Sequence, residues 1–141
     1  MTLAARLATG DTIFTAWSSL PEPLTTAALS ASAFDAITLD MQHGGHSDDS
    51  VLRCLAPIIA AGKPAVVRIP VGRNDMASRA LDFGADAVIA PMINSAADAR
   101  AFATAMKYPP LGERSWGAAF ALARRGGDGA GLLANANRET M

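Results

Sequence analysis

The sequence predicts an α/β protein, a parallel β-sheet covered by helices. Four short apolar runs alternate with longer amphipathic segments, the order of consecutive strand–helix units. Each run is continuously apolar rather than alternating, as in strands buried on both faces. Glycine, proline and serine clusters punctuate the units. Pattern alone leaves two architectures open: an open doubly wound sheet, or part of a (β/α)8 barrel.

The elements follow in order. Thr12–Trp17 (TIFTAW) is rich in β-branched and aromatic residues and predicts the first strand, ended by a Ser-Ser-Leu-Pro turn. Pro21–Ala33, rich in Ala and Leu, predicts a helix. Ala36–Asp40 (AITLD) predicts the second strand, and a Gly-Gly loop follows it. A helix then spans about Asp48 to Ala61, with Asp48 and Asp49 suited to its positive N-terminus and Gly62 to its stop. Ala65–Ile69 (AVVRI) predicts the third strand, closed by Pro70. Asn74 or Asp75 caps a helix running to Phe83, where Gly84 ends it. Ala87–Ala90 predicts the fourth strand, stopped by Pro91, and Ser95 caps a helix to about Met106. Tyr108–Gly117 reads as a loop. The RRGGDGAG stretch from Arg124 is rich in breakers, and Leu132–Asn137 predicts a last short helix.

A chain of 141 residues is one domain's worth at most, and long enough to bury a core. Half its residues are hydrophobic and 18% are charged, which excludes disorder as the main state. The net charge is -1, with no basic stripe to follow a phosphate backbone, so nucleic acid is not an expected partner. The single Cys54 lies in an apolar helical stretch and reads as a small core residue in a reducing compartment. No signal-peptide core and no run of about 18 apolar residues is present, so the expectation is a soluble cytoplasmic protein away from membranes. The first strand lacks a GxGxxG loop, GxxxxGK[ST] is absent, and so is the GxSxG elbow. Nucleotide-binding open sheets and serine hydrolases both lose weight.

In parallel α/β proteins ligands sit at the C-terminal ends of the strands. The second strand ends in Asp40-Met41-Gln42-His43-Gly44-Gly45-His46, the third carries Arg68, and the fourth ends in Pro91-Met92-Ile93-Asn94-Ser95. A guanidinium inside AVVRIP requires an anionic partner, since an unpaired buried charge is very costly. Two partners remain open for Arg68: a structural ion pair with an Asp of the same sheet, such as Asp40, or a substrate carboxylate. His43 follows its strand by three residues in a glycine loop, and an imidazole suits proton transfer at neutral pH; the alternative is an ordinary surface histidine. His46 could ligate a metal but has no third ligand nearby, so a zinc site is not expected. The only lysines, Lys63 and Lys107, come at helix C-terminal ends, which disfavours a Schiff base and leaves carbonyl chemistry to a metal.

Six stretches carry a resemblance across nearly the whole chain. They are the segment around Trp17, Phe34–Gly44 (FDAITLDMQHG), Val67–Pro70 (VRIP), Leu81–Ala85 (LDFGA), Pro91–Ser95 (PMINS) and Tyr108–Arg114 (YPPLGER). Together they resemble the pyruvate aldolases related to citrate lyase, the family of 4-hydroxy-2-oxoheptanedioate aldolase and 2-dehydro-3-deoxyglucarate aldolase.

The resemblance implies a (β/α)8 TIM barrel that cleaves 4-hydroxy-2-oxo acids reversibly to pyruvate and an aldehyde. It implies His43 as the general base toward the C4 hydroxyl, and Arg68 as the group that stabilises the enolate oxygen. It implies Asp82 as an aspartate that raises the basicity of the histidine. Asp82 falls in a last helical turn on the face expected opposite the site, so it would act across a subunit interface; otherwise Asp40 is the partner of His43. Gln42 stands where members often have Glu and is given no catalytic role. A divalent metal (Mg2+, Mn2+ or Co2+) is implied, held by a Glu ending strand five and an Asp after strand six. Glu139 is not that Glu, because no strand precedes it. A homo-oligomer is also implied.

A complete barrel needs about 250 residues. Residues 1–141 are therefore expected to be the N-terminal part of one aldolase barrel domain, with about four of its eight strand–helix units. The chain is then a fragment, a truncated product, or a half completed by another chain, weak or inactive alone. Two other readings stand beside it. One is a non-catalytic remnant acting as an oligomeric or carboxylate-binding module. The other is an oxaloacetate decarboxylase or acyl-CoA lyase of the same superfamily.

Overall fold

The computed structural model describes residues 1–141. Its elements are α1 (Leu3–Ala8), β1 (Thr15–Ser18), α2 (Pro23–Ser30), β2 (Ala36–Asp40), α3 (Asp48–Ala60), β3 (Ala65–Arg68), α4 (Asn74–Phe83), β4 (Ala87–Ile89), α5 (Ala96–Met106), α6 (Ala119–Arg125) and α7 (Gly129–Glu139). The four strands form one parallel sheet in the order β1-β2-β3-β4. Every strand neighbours the next in sequence, with no reversal of strand order. A doubly wound sheet reverses at a switch point; a barrel does not. The topology is that of four consecutive units of a barrel wall.

The strand pleat explains the two faces. Ile37, Leu39, Val67, Ile69 and Val88 join Cys54, Leu55 and Ile58 of α3 and Ala77, Ala80 and Leu81 of α4 in one core of 17 buried residues. The alternate residues Ala36, Val66 and Ala87 form a small cluster with Leu3 on the other face. Trp17 and Ile89 remain substantially exposed. One face of the sheet is thus sealed by helices, and the other is polar and open towards the C-terminal ends.

The predicted elements recur with shifted ends. β2 matches the expected span, while β1 starts at Thr15 rather than Thr12 and α2 is shorter than Pro21–Ala33. Ser47 and Ser50 close a capping box at α3, and the Ser95 side chain caps α5. The expected cap of α4 by Asn74 or Asp75 is not made: Arg73 holds the cap position without a side-chain bond, and Asp75 pairs with Arg73 instead. Gly84 does end that helix, at φ 112°. α1 and α6 lie outside the expected elements. α7 extends beyond Leu132–Asn137 because Asp128 caps it, accepting from Gly131 N at 2.7 Å. Past α7, Met141 N donates to Asp86 O at 3.3 Å and Met141 O accepts from Val88 N at 2.7 Å. That is the bonding of a parallel bridge on the outer edge of β4.

Candidate functional site at the C-terminal rim of the sheet

Asp40 and Arg68 are register partners on β2 and β3. Arg68 Nε donates to Asp40 Oδ1 at 2.9 Å and Arg68 Nη2 to Oδ2 at 2.7 Å, a fork-to-fork pair. Of the two partners open for Arg68, the structure shows the carboxylate of its own sheet. One edge of the guanidinium is taken, and Nη1 makes no bond within the chain. The arginine side chain is 21% exposed and the aspartate 2%, so the pair sits at the boundary between core and solvent. The Arg68 guanidinium also lies over the Trp17 ring, 4.9 Å from its centroid.

Asp40 is saturated with donors. Besides Arg68 it accepts from the backbone N–H of Gln42 at 2.9 Å and of His43 at 3.3 Å. Arg68 above all, against burial, holds its carboxyl well below the usual carboxylate range, with the Gln42 and His43 donors adding to the effect. It stays ionised at any physiological pH.

His43 is exposed in the loop that follows. Its backbone N–H is fixed by Asp40, and the loop is pressed onto the turn after β1. Gly45 N donates to Ser19 O at 2.8 Å, and a Cβ at Gly44 would lie 2.5 Å from Asp40 O and 3.0 Å from Ser19 Cα. Only glycine admits that approach. His46 is buried at 6% exposure, its Nε2 3.2 Å from Ser18 Oγ and its Nδ1 3.2 Å from Ser50 Oγ. Ser50 Oγ donates to Ser47 O at 3.0 Å, which leaves it to accept from Nδ1–H. Burial pushes the His46 pKa down and Asp40 pulls it weakly the other way. His46 pins the rim loop to β1 and α3 instead of facing a ligand.

Asp82 is not brought to His43 within the chain. It lies in the last turn of α4, near the N-terminal end of β4, and accepts from Arg114 Nη2 at 2.6 Å. Asp40 is the carboxylate at the rim, and it meets the main chain of His43. Strand four contributes no charged side chain there: Met92 and Ile93 are exposed, and Met92 takes φ 58°. Glu139 lies in α7, not on a strand. Trp17 belongs to the site without having been singled out as a side chain; its place at the end of β1, two residues beyond Thr15 on the open face, was the available signal.

No three His, Cys, Asp or Glu side chains converge to hold a metal ion, and both Asp40 oxygens are committed to Arg68. The residues present do not fit the divalent cation that the resemblance implies, and no step is derived through it. Two clefts lie at the other end of the sheet, one of about 350 Å³ beside Arg114 and Arg125 and one of about 590 Å³ beside Arg6 and Lys63. The rim is an open shelf, as one wall of a barrel mouth would be. No helix is long and apolar enough to cross a membrane.

Known proteins match this chain in sequence and fold. The family described as HpcH/HpaI aldolase/citrate lyase matches residues 14–141. The hydroxypyruvate/pyruvate aldolase of Roseovarius nubinhibens is 34% identical over 136 residues, 96% of this chain and 53% of that protein. The 2-keto-3-deoxy-L-rhamnonate aldolase of Salmonella gallinarum is 30% identical, covering 91% of this chain and 48% of that one. Among solved structures, an HpcH/HpaI aldolase of Desulfitobacterium hafniense superposes with a TM-score of 0.87 at 25% identity, over 100% of this chain and 55% of that chain. A family protein of Burkholderia cenocepacia gives 0.82 at 30% identity, over 98% and 56%. The chain spans about half the length of the curated relatives it matches.

Proposed function

From the premise that the chain belongs to the HpcH/HpaI aldolase/citrate lyase family, we propose that it carries the pyruvate-handling half of a class II aldolase. The substrate is a 4-hydroxy-2-oxo acid, cleaved reversibly to pyruvate and an aldehyde, and residues 1–141 are the N-terminal part of a single barrel domain. The observation that supports this reading best is Arg68, locked by Asp40 and Trp17 at the same rim as the exposed His43.

In the cleavage direction the His43 imidazole takes the proton of the C4 hydroxyl. The C4–O electrons form the aldehyde carbonyl, the C3–C4 bond breaks, and its electron pair passes to C3 and onto the C2 oxygen. The enolate oxygen so formed is met by the part of the Arg68 guanidinium that Asp40 leaves free, a donor already oriented before the charge develops. A solvent proton added at C3 gives pyruvate, and the His43 imidazolium returns its proton to solvent. Asp40 is a positioning residue: it fixes the Arg68 plane and the His43 backbone together. Asp82 enters this scheme only from a neighbouring copy in a homo-oligomer. The divalent cation is assigned to residues outside this set, and the expected setting is the cytoplasm.

A carboxylate-binding module without catalysis is favoured by one observation, the lack of a converging metal-ligand set. One experiment separates the readings. Exchange of the pyruvate methyl protons with solvent is followed by NMR with Mn2+, for the chain alone and after adding the separately produced C-terminal half of the Roseovarius nubinhibens relative. The expected result is little exchange alone, strong exchange after addition, and its loss in Arg68→Met, while cleavage of a 4-hydroxy-2-oxo acid by the complemented enzyme is lost in His43→Asn as well. Rapid turnover by the chain alone, exchange that survives Arg68→Met, or cleavage that survives His43→Asn contradicts the proposal.

A further inference from the structure

Two rim segments carry the groups of the proposed site: the loop after β2 with His43, and the end of β3 with Arg68. At the level of the strands they are tied twice, by Met41 N donating to Arg68 O at 2.9 Å and by the Asp40–Arg68 pair. Beyond the strands one tie remains. Val71 N donates to Gln42 Oε1 at 2.8 Å, across 29 residues of sequence.

The geometry of the Val71 segment explains why that bond matters. Pro70 to Arg73 is a β-turn, closed by Arg73 N donating to Pro70 O at 3.2 Å, with Gly72 in its third place at φ 73°, as in a type II turn. The N–H of the second residue of such a turn points away from it and has no partner inside it. The Gln42 oxygen supplies that partner. The amide cannot be reversed, since a backbone N–H requires the oxygen. Gln42 is itself anchored, because its own N–H donates to Asp40 Oδ1 at 2.9 Å. One residue therefore links the buried carboxylate, the His43 loop and the turn that follows Arg68.

We infer that Gln42 is a positioning residue, whose amide oxygen pins the turn after β3 to the His43 loop and so fixes the spacing of His43 and Arg68. The inference rests on the proposed pyruvate site for its functional consequence, but the latch itself does not. It assigns a task to a position where the resemblance gave none.

The test breaks the bond from each side in the 141-residue chain. Gln42→Met removes the acceptor at nearly the same side-chain length, and Gln42→Glu keeps an acceptor. Val71→Pro removes the donor at a turn position that favours proline, so a folding defect in one variant leaves the other informative. Two quantities are read by NMR: hydrogen exchange of the Val71 amide, and the shift of the Arg68 Nε–H resonance on titration with pyruvate. The expected result is Val71 exchange roughly tenfold faster in Gln42→Met and near wild type in Gln42→Glu. Pyruvate affinity is expected to fall roughly fivefold or more in Gln42→Met and Val71→Pro and to recover in Gln42→Glu. Unchanged Val71 exchange in Gln42→Met overturns the latch. Faster exchange with unchanged pyruvate affinity overturns the positioning role. A wild-type chain whose Arg68 resonance ignores pyruvate overturns the proposed function instead, and leaves the Val71 result to judge the latch.

Discussion

Asp40 and Arg68 face each other in register across β2 and β3, and the carboxylate takes Nε and Nη2 of the guanidinium at 2.9 and 2.7 Å. The two ends of this pair are unequal, since Asp40 is almost wholly buried while Arg68 keeps a route to water. Removing either partner therefore has different consequences. Arg68→Met leaves a buried carboxylate with only neutral donors, and is expected to lose roughly 3 kcal/mol of stability at pH 7. Asp40→Asn retains an acceptor for Arg68 or for the Gln42 and His43 amides and is expected to lose about 1–2 kcal/mol. Urea denaturation gives both values; a larger loss for the asparagine variant contradicts the burial argument.

The pH dependence of stability has two windows. The Asp40 carboxyl is lowered in the folded chain, so the unfolded chain binds that proton more readily. Its contribution is complete well above the ordinary value of about 3.9 and is lost as the pH falls through it toward the folded value. His46 is also lowered, by burial, so the unfolded chain takes up its proton first as the pH falls through about 6.5. Stability should thus decline in two steps on acidification. Denaturant midpoints measured from pH 8 to pH 3 should show the upper step vanish in His46→Gln and the lower one shrink in Asp40→Asn.

The two histidines separate function from stability. His43 is exposed and uses only its backbone N–H, so His43→Asn should leave the midpoint within about 0.5 kcal/mol. In the complemented enzyme the same change should reduce cleavage of a 4-hydroxy-2-oxo acid by roughly 10²–10⁴-fold. His46 bridges Ser18 and Ser50 in the interior, and His46→Ala should cost about 1–3 kcal/mol. A destabilised His43→Asn with normal cleavage would falsify the assignment of His43 as the base.

The strands and most helices are legible in the sequence because apolar runs, glycines and helix caps are local signals. β2 with its buried AITLD run is recovered to the residue, and Ser95 caps α5 as its position suggests. What fails is equally physical. α1 (LAARLA) and α6 (AFALARR) are rich in helix formers, but at six and seven residues they are too short to show a period of their own. The Asp40–Arg68 pair could be named only as one of two possibilities, because strand register is not visible until the sheet is assembled. Trp17 beneath Arg68 and the Gln42–Val71 bond are long-range contacts with no local signature.

Gly44 is required by space and not by backbone conformation. A Cβ there would press on Asp40 O and Ser19 Cα, both main-chain atoms that cannot swing aside. Gly44→Ala should therefore cost roughly 1–3 kcal/mol and move the His43 loop, seen as shifted Gly45 and His43 amide resonances. Gly72, at φ 73° with nothing within 4 Å of a Cβ, faces only a backbone penalty. Gly72→Ala should cost about 1 kcal/mol and leave those amides in place.

Asp82 offers the sharpest division between the family resemblance and the geometry of this chain. Its carboxylate is the partner of Arg114, which is 5% exposed, has no partner for Nε and stacks on the Tyr108 ring at 4.4 Å. Asp82→Asn should leave that guanidinium underpaired in the interior and cost about 2–4 kcal/mol, with the Asp40 and Arg68 resonances unchanged. A role in tuning His43 requires a neighbouring copy, because within one chain Asp82 sits at the far end of the sheet. The distinguishing measurement is the position of the His43 ring resonances by NMR at two protein concentrations. The fold predicts no effect of Asp82→Asn when the chain is dilute and monomeric. A shift of the His43 ring resonances that appears only in the concentrated, associated state would place Asp82 beside a neighbour's histidine, whereas a change in the dilute state would contradict the position of α4.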